Sequence, residues 1–387
     1  MVRFGKYPLR SAASLGRQAI TSVLDDANVQ PDEVQAVYAG RSFSGVIDNQ
    51  VAVVGQVALR GTGIEDVPVF NFDNACASTP TALNIAVQSL RSGQYDLVLV
   101  VGMDKLYSAD RKESMRALFG AMDVEEMQWM AEAIEREGPA GSIFMEHYYA
   151  KVARKYMSDT GATAQDFAKV AVKNRAAAMR NPYAQYRTPL GEEEVLASAM
   201  VAEPLRTLMC SPLTDGAAAL LLCSRRLRDR FSGSMVEVAA TVVRSGKPVL
   251  GDSEPLVTRA AKQAYAQAGI GPEDLDLMEV HDASAVAELI AAEEACLLKR
   301  GQGLDMLRSG ASTVGGALPV NVSGGLLSRG HPGAATGASQ LVEIVWQLQG
   351  RAKGRQIDQP KIGLAHSAGG LVGDEAASTV ITILSSL

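Results

Sequence analysis

The chain is poor in cysteine and histidine. Its 387 residues hold four cysteines, Cys76, Cys210, Cys223 and Cys296, and four histidines, His147, His281, His331 and His366. No two cysteines stand in C-x-x-C spacing, so zinc-ribbon and dithiol redox patterns are excluded. No apolar run reaches the roughly 18 residues of a membrane span. Met1 leads into V-R-F-G-K-Y-P without the apolar core of a signal peptide. Reduced thiols in a cytoplasmic protein, with no membrane partner, are therefore expected. Lysine and arginine form no cluster and the formal net charge is -6. That balance speaks against a nucleic-acid surface.

What is present describes a globular protein. The chain is 47% hydrophobic and 21% charged, with abundant alanine and 36 glycines to allow close helix–sheet packing. The length suits two domains or one large layered unit.

Cys76 is the most informative residue. The apolar run Val67 to Phe72 predicts a buried strand, and Leu83, Ala86, Val87 and Leu90 have helical spacing. Cys76 falls in the turn between them, close to a helix N-terminus. Unpaired N–H groups and the helix dipole there favour a thiolate, and hence a nucleophile.

The chain also repeats itself. Ala19 to Tyr38 and Ala260 to Met278 each give an amphipathic helix, a turn at Pro31 or Pro272, two acids and an apolar strand. Ala27 matches Ala268, and Asp32-Glu33 matches Glu273-Asp274, without a gap. Val67 to Asp104 gives strand, Cys76 turn, helix and strand. Leu318 to Gly370 gives the strand P-V-N-V, a glycine-rich turn with His331, a helix over Ala338 to Leu348 and the strand K-I-G-L-A-H. Helices alternating with apolar strands imply parallel or mixed sheets covered by helices. Two tandem units imply two similar α/β halves, residues 1–225 and 235–387. Residues 107–207 read as an insertion of helices and loops in the first half, closed by a strand over Ala217 to Cys223.

Three further segments carry chemistry. E-V-H-D-A-S-A places His281 at the end of a strand over Leu275 to Val280. N-V-S-G-G-L-L-S-R-G-H-P-G-A-A-T-G places His331 in a loop bounded by glycines. I-G-L-A-H-S-A-G-G places His366 after a strand and before Gly369-Gly370. Residues just past strand ends in a parallel sheet share one edge, where sites form. Asp215, in L-T-D-G, reads as a turn or cap. Asp282 either orients His281 or caps a helix over Ser284 to Leu298. His147, on a predicted helix of the insertion, reads as a surface or channel residue, and Cys210, Cys223 and Cys296 read as structural.

With N-A-C-A-S, S-P-L-T-D-G-A-A-A-L-L-L, H-D-A, G-H-P and H-S-A-G-G in place, the chain resembles the thiolase superfamily over nearly its whole length. Within it, the chain is most similar to the archaeal and sterol-carrier-protein-type thiolases. The resemblance implies an α/β thiolase fold, two similar halves stacked in α-β-α-β-α layers with a helical loop insertion. It implies acyltransferase activity on acyl-CoA thioesters, by thiolysis of a 3-oxoacyl-CoA or by Claisen condensation, through an acyl-cysteine. Coenzyme A would be substrate or product, with no tightly bound cofactor and no metal. A homodimer or homotetramer is implied, with a small accessory protein as a further candidate partner.

By the same resemblance Cys76 is the nucleophile and His331 its activator. His281 helps bind the thioester oxygen of the second substrate. His366 stands where many thiolases carry a second cysteine as acid/base. The Gly369-Gly370 amides are candidate oxyanion donors with the Cys76 N–H. Acyl transfer needs these parts: a thiolate, a proton acceptor, and donors where carbonyl charge develops. The chain departs from the family pattern in five places. It has no second cysteine in the final motif, and Ala283 stands where an H-D-C-F variant supplies one. Gly333-Ala334 is smaller and looser than the usual continuation, and Ser367-Ala368 replaces Asn-x. The N-terminus also begins later than in most members, which implies a misassigned start or a lost edge strand. Two alternatives remain open: a thiolase-like aldolase with a partner protein, which would not need Cys76, and a non-catalytic acyl-CoA- or lipid-binding homologue.

Overall fold

The structure, a computed structural model, describes residues 1–125, 128, 145–231, 235–247 and 253–387, with the backbone alone for Glu146 and His147. The expected surface or channel role of His147 thus lies outside the described side chains. Ten strands are present among these residues. They are β1 (Ala36–Gly40), β2 (Val69–Phe72), β3 (Leu97–Lys105), β4 (Met200–Ala202), β5 (Leu205–Arg206), β6 (Asp215–Cys223), β7 (Val236–Ser245), β8 (Leu277–Glu279), β9 (Ile362–Val372) and β10 (Glu375–Ser386).

Two four-stranded sheets form the body, ordered β2-β1-β3-β6 and β7-β10-β9-β8, while β4 and β5 make a small separate hairpin. In the first sheet β2, β1 and β3 are parallel and β6 runs antiparallel to β3. In the second, β8 and β9 are parallel, and β10 is antiparallel to both β9 and β7.

Period-two alternation sorts the strand residues into layers. Val37, Ala39, Leu97, Leu99 and Val101 face one way and pack on the helix Ala12–Ala27. Ala36, Tyr38, Val98 and Val100 face the other way, onto the helices Ser78–Arg91 and Ala335–Leu348. Those two central helices also meet Leu277, Ala365 and Leu384 of the second sheet. Its far face carries Ala240, Val242, Leu364, Ile381 and Ile383 against the helices Leu256–Ala268 and Ala285–Ala295. The order is therefore helix, sheet, helix, sheet, helix, as the family resemblance implied.

The repeat is visible in the backbone. Each copy is a helix, a short turn (Pro31–Glu33 or Pro272–Asp274) and a strand, β1 or β8. The residues after the two helices, Asn28 and Gly269, are both left-handed, at φ 51° and 70°. Residues 107–207 run between β3 and β6 and include the helices Lys151–Thr160 and Ala164–Met179. Phe167, Val170 and Tyr156 there share a core with Ala285, Val286 and Leu289 of the second half. The insertion thus bridges from one half onto the other.

Three local expectations need correction. β2 is not buried. Among the described residues it is an edge strand paired with β1 alone, and Phe70 is 40% exposed. P-V-N-V forms only an isolated bridge, Met278 to Val320. His366 lies within β9 rather than after it, because this strand continues through the glycine pair.

Candidate active site

Cys76 sits in the turn from β2 to the helix Ser78–Arg91, with Ala77 as the residue before the first helical turn. Ala75 is forced to φ 50°, a left-handed conformation that costs a non-glycine residue about 1 kcal/mol or more. The turn is locked from two sides. Asn74 N–H donates to Ser78 Oγ at 2.8 Å, and Asn74 Nδ2 donates to Thr81 Oγ1 at 3.1 Å. From β9, Gly369 packs so closely that a Cβ there would lie 2.1 Å from the Asn74 carbonyl oxygen.

His331 arrives from the second half. The segment Gly325–Arg329 forms a single wide π-helical turn, and Gly330 at φ 111° redirects the chain, a conformation glycine tolerates. His331 Nε2 then lies 3.3 Å from Cys76 Sγ. Its other nitrogen, Nδ1, lies 2.7 Å from Thr336 Oγ1, in the first turn of the helix Ala335–Leu348. The backbone N–H of His331 donates to Thr214 Oγ1 at 3.2 Å. Gly333-Ala334 is gripped, contrary to the expected looseness. Asp104 accepts from Ala334 N–H at 3.0 Å, Thr79 Oγ1 donates to Ala334 O at 2.6 Å, and a Cβ on Gly333 would lie 2.2 Å from Asp104 Oδ2.

His281 follows β8. Its ring stands edge-on to His331, with centroids 5.0 Å apart and an interplanar angle of 89°. Its Nδ1 is buried without a hydrogen-bond partner among the described residues. His366 is held at both ring nitrogens. Nδ1 accepts from His281 N–H at 3.5 Å, and Nε2 lies 3.1 Å from Thr379 Oγ1 on β10. Gly370 lines the same cavity as Cys76, His281, His331 and His366. Gly369 packs against the cysteine turn instead.

Burial sets the protonation states. It drives His281 down to about 4 and His366 to about 3, with the neighbouring His281 adding to the second shift. His331 falls well below its ordinary value, chiefly by burial and then by His281 and Arg329. The imidazoles are therefore neutral bases at physiological pH. Cys76 departs from expectation. Burial, followed by the carboxylates of Asp104 and Asp73, pushes its thiol up. Desolvation outweighs the helix N-terminus, so the resting pair is a thiol beside a neutral imidazole.

Asp282 neither orients His281 nor caps the following helix. It accepts from Leu326 N–H at 2.7 Å and from Asn174 Nδ2 at 2.8 Å, holding the turn that leads to His331. Asp215 does more than make a turn. Fully buried, it pairs with Lys105 at 3.0 Å and accepts from the backbone N–H of Tyr7, Leu106 and Tyr107. Cys296 packs against Met278 as a structural residue, whereas Cys210 lines the cavity. Thr336, Thr379, Asp104 and the Glu279–Arg329 pair were not found from sequence. Thr336 alone carried a signal, since it stands in the same G-H-P-x-x-A-T-G run as His331.

The cavity onto which these groups open measures about 1070 Å³, at the upper end of the roughly 300–1,000 Å³ usual for ligand clefts. Met115, Leu118, Leu213 and Leu371 give it apolar walls and Tyr148 and Tyr149 aromatic ones, while Lys6, Arg111, Lys155 and Arg300 line it together with Asp159, Glu294, Asp374 and Glu375.

Comparison with known proteins identifies the family. Residues 2–226 match the family described as thiolase, N-terminal domain, and residues 253–385 the one described as thiolase C-terminal domain-like. An acetyl-CoA acetyltransferase of Methanothermobacter thermautotrophicus is 33% identical over 97% of this chain and 95% of its own. The benzoylsuccinyl-CoA thiolase subunit BbsB of Thauera aromatica is 34% identical over 95% of this chain and 92% of its own. Among solved structures, the Ltp2-ChsH2(DUF35) aldolase superposes with a TM-score of 0.78 at 23% identity, over 100% of this chain and 95% of that one. Human mitochondrial 3-ketoacyl-CoA thiolase in complex with CoA gives 0.73 at 17% identity, over 100% and 96%. Those two likenesses speak to the fold. From the two domain matches and the acyltransferase relatives, the chain belongs to the thiolase family.

Proposed function

We propose that the protein transfers acyl groups from acyl-CoA thioesters through an acyl-Cys76 intermediate. The observation that carries this reading is the 3.3 Å contact between Cys76 Sγ and His331 Nε2 at the cavity. Binding alone requires no nucleophile held against an oriented base. A thiol that rests protonated suits general-base activation. His331 Nε2 takes the Cys76 proton as sulfur attacks the thioester carbonyl, and Thr336 steadies the opposite nitrogen. Negative charge on the carbonyl oxygen then meets N–H donors, for which the Cys76 and Gly370 amides are our candidates. Coenzyme A leaves as a thiol, taking a proton from His331. The apolar and aromatic walls of the cavity support a fatty or aromatic acyl group.

The second half-reaction needs another proton carrier, and no second thiol stands in the final motif. The unpartnered nitrogen of His281 supports that residue for the task. His366 has both ring nitrogens engaged and would have to release Thr379 first. The exposed edge of β2, with Phe70 at its centre, supports a second protein copy or accessory subunit as partner.

Intact-mass analysis after incubation with a panel of acyl-CoAs tests the proposal. An acyl adduct mapping to Cys76 is expected. Absence of any adduct, or one on another cysteine, overturns it.

A further inference from the structure

Cys76 Sγ and one ring nitrogen each of His281 and His331 lie within 4.8 Å of one another, and all three residues are buried. We propose that this cluster is a binding site for Zn²⁺ or an ion of similar softness, and that metal binding and acylation exclude each other.

One thiolate and two imidazoles form a ligand set that zinc accepts, and calcium and magnesium do not. Tetrahedral zinc with bonds of about 2.3 Å to sulfur and 2.0–2.1 Å to nitrogen places sulfur about 3.6 Å from each nitrogen and the nitrogens about 3.3 Å apart. Cys76 Sγ and His331 Nε2 are already 3.3 Å apart. The other pairs need draw in by at most roughly 1.5 Å to reach zinc spacing. The outer contacts are also in place. Thr336 Oγ1, 2.7 Å from His331 Nδ1, fixes the ring with Nε2 toward sulfur, the second-shell arrangement typical of metal-bound histidine.

An independent observation points to a missing partner. His281 is 7% exposed, yet its Nδ1 makes no hydrogen bond to any described residue. Buried polar atoms without partners are rare in native proteins. The ring stands edge-on to His331, within the cluster. Three protein ligands leave a fourth position for water or an incoming thiol. As the sulfur–zinc bond forms, the Cys76 S–H proton passes to solvent and nothing is oxidised or reduced, so a chelator reverses the step.

The metal site does not depend on acyl transfer, because it is read from the metal and the thiol; that it excludes acylation rests on the proposed function. Chelator-treated protein would be titrated with ZnCl₂, with Co²⁺ as a spectroscopic stand-in. One equivalent should bind, and Co²⁺ should give a thiolate charge-transfer band that Cys76→Ser lacks. Zinc at ten times its dissociation constant should slow iodoacetamide labelling of Cys76 roughly tenfold. A chelator should restore the rate, and Mg²⁺ should leave it unchanged. His281→Ala should weaken zinc binding roughly tenfold or more. The proposal is overturned if zinc leaves Cys76 labelling unchanged, or if His281→Ala protects as well as the parent. Should that variant not fold, a wild-type Co²⁺ complex without the thiolate band refutes it equally. Acylation of the metal-free protein, measured by mass, keeps this result separate from the proposed function.

Discussion

Glu279 and Arg329 form an ion pair of 3.1 Å with both side chains wholly buried, and each stands two residues ahead of a site histidine. The pair therefore joins the end of β8, which carries His281, to the turn that carries His331. Ser323 completes it, donating N–H and Oγ–H to Glu279 at 2.9 and 2.6 Å. Burial nonetheless raises the Glu279 carboxyl to about 7 against the opposing pull of Arg329. A buried pair of this kind contributes little net stability compared with apolar residues, and its evident use here is to fix two histidines in register.

Removing one partner should strand the other charge. Arg329→Met is expected to destabilise the fold by about 3–5 kcal/mol. The double variant Glu279→Leu with Arg329→Met should regain most of that stability in denaturant unfolding, yet acylate Cys76 more slowly than the parent. Full acylation rate in the double variant would remove the positioning role.

The histidines should separate by step. His331→Ala is expected to slow Cys76 acylation by roughly 10²-fold or more, the usual span of a lost general base. His281→Ala should leave acylation within about tenfold and lower turnover by roughly 10²-fold. His366→Ala is the comparison that matters. If it abolishes turnover while His281→Ala does not, the final-motif histidine carries the second proton transfer. Single-turnover acylation and steady-state turnover, measured together, decide the matter.

The pH dependence of labelling follows from the buried thiol. With the Cys76 pKa pushed above its usual value, the thiolate fraction stays small and grows about tenfold per pH unit. Iodoacetamide labelling should therefore climb through pH 9 without a plateau. A plateau near pH 7 would mean a preformed thiolate–imidazolium pair instead.

The histidine shifts give a stability signature. His366 stays neutral in the fold down to about pH 3, whereas the unfolded chain binds the proton near 6.5. A depressed folded value contributes stability above pH 6.5 that is lost as pH falls below it. The melting-temperature advantage of wild type over His366→Gln should thus shrink between pH 7 and 5. An advantage that grows toward acid would contradict the buried neutral histidine.

Gly369 admits no side chain. Its Cβ would lie 2.1 Å from Asn74 O and 2.8 Å from Ala77 N, both backbone atoms of the cysteine turn. Gly369→Ala should cost about 1–3 kcal/mol by overpacking and displace Cys76. A stable variant with unchanged acylation would show that the turn can yield.

Much of this protein could be read from its sequence. The continuous apolar run of β3 and the helical spacing of the central helices were legible, because those patterns depend on neighbours a few positions apart. The repeat announced two halves, and N-A-C-A-S with G-H-P marked the two residues, Cys76 and His331, that meet at the cavity. Other features were decided only when distant segments met. Cys76 and His331 are 255 positions apart. Their contact follows from two central helices packing between two sheets. The exposure of β2 depends on its having a single neighbouring strand, and the pinning of His366 depends on Thr379 arriving on β10. Neither has a local signature. Protonation also belonged to the tertiary structure. The sequence placed Cys76 at a helix N-terminus and so suggested a thiolate. Closing the two halves over it removed the water that would stabilise that charge, and desolvation prevailed.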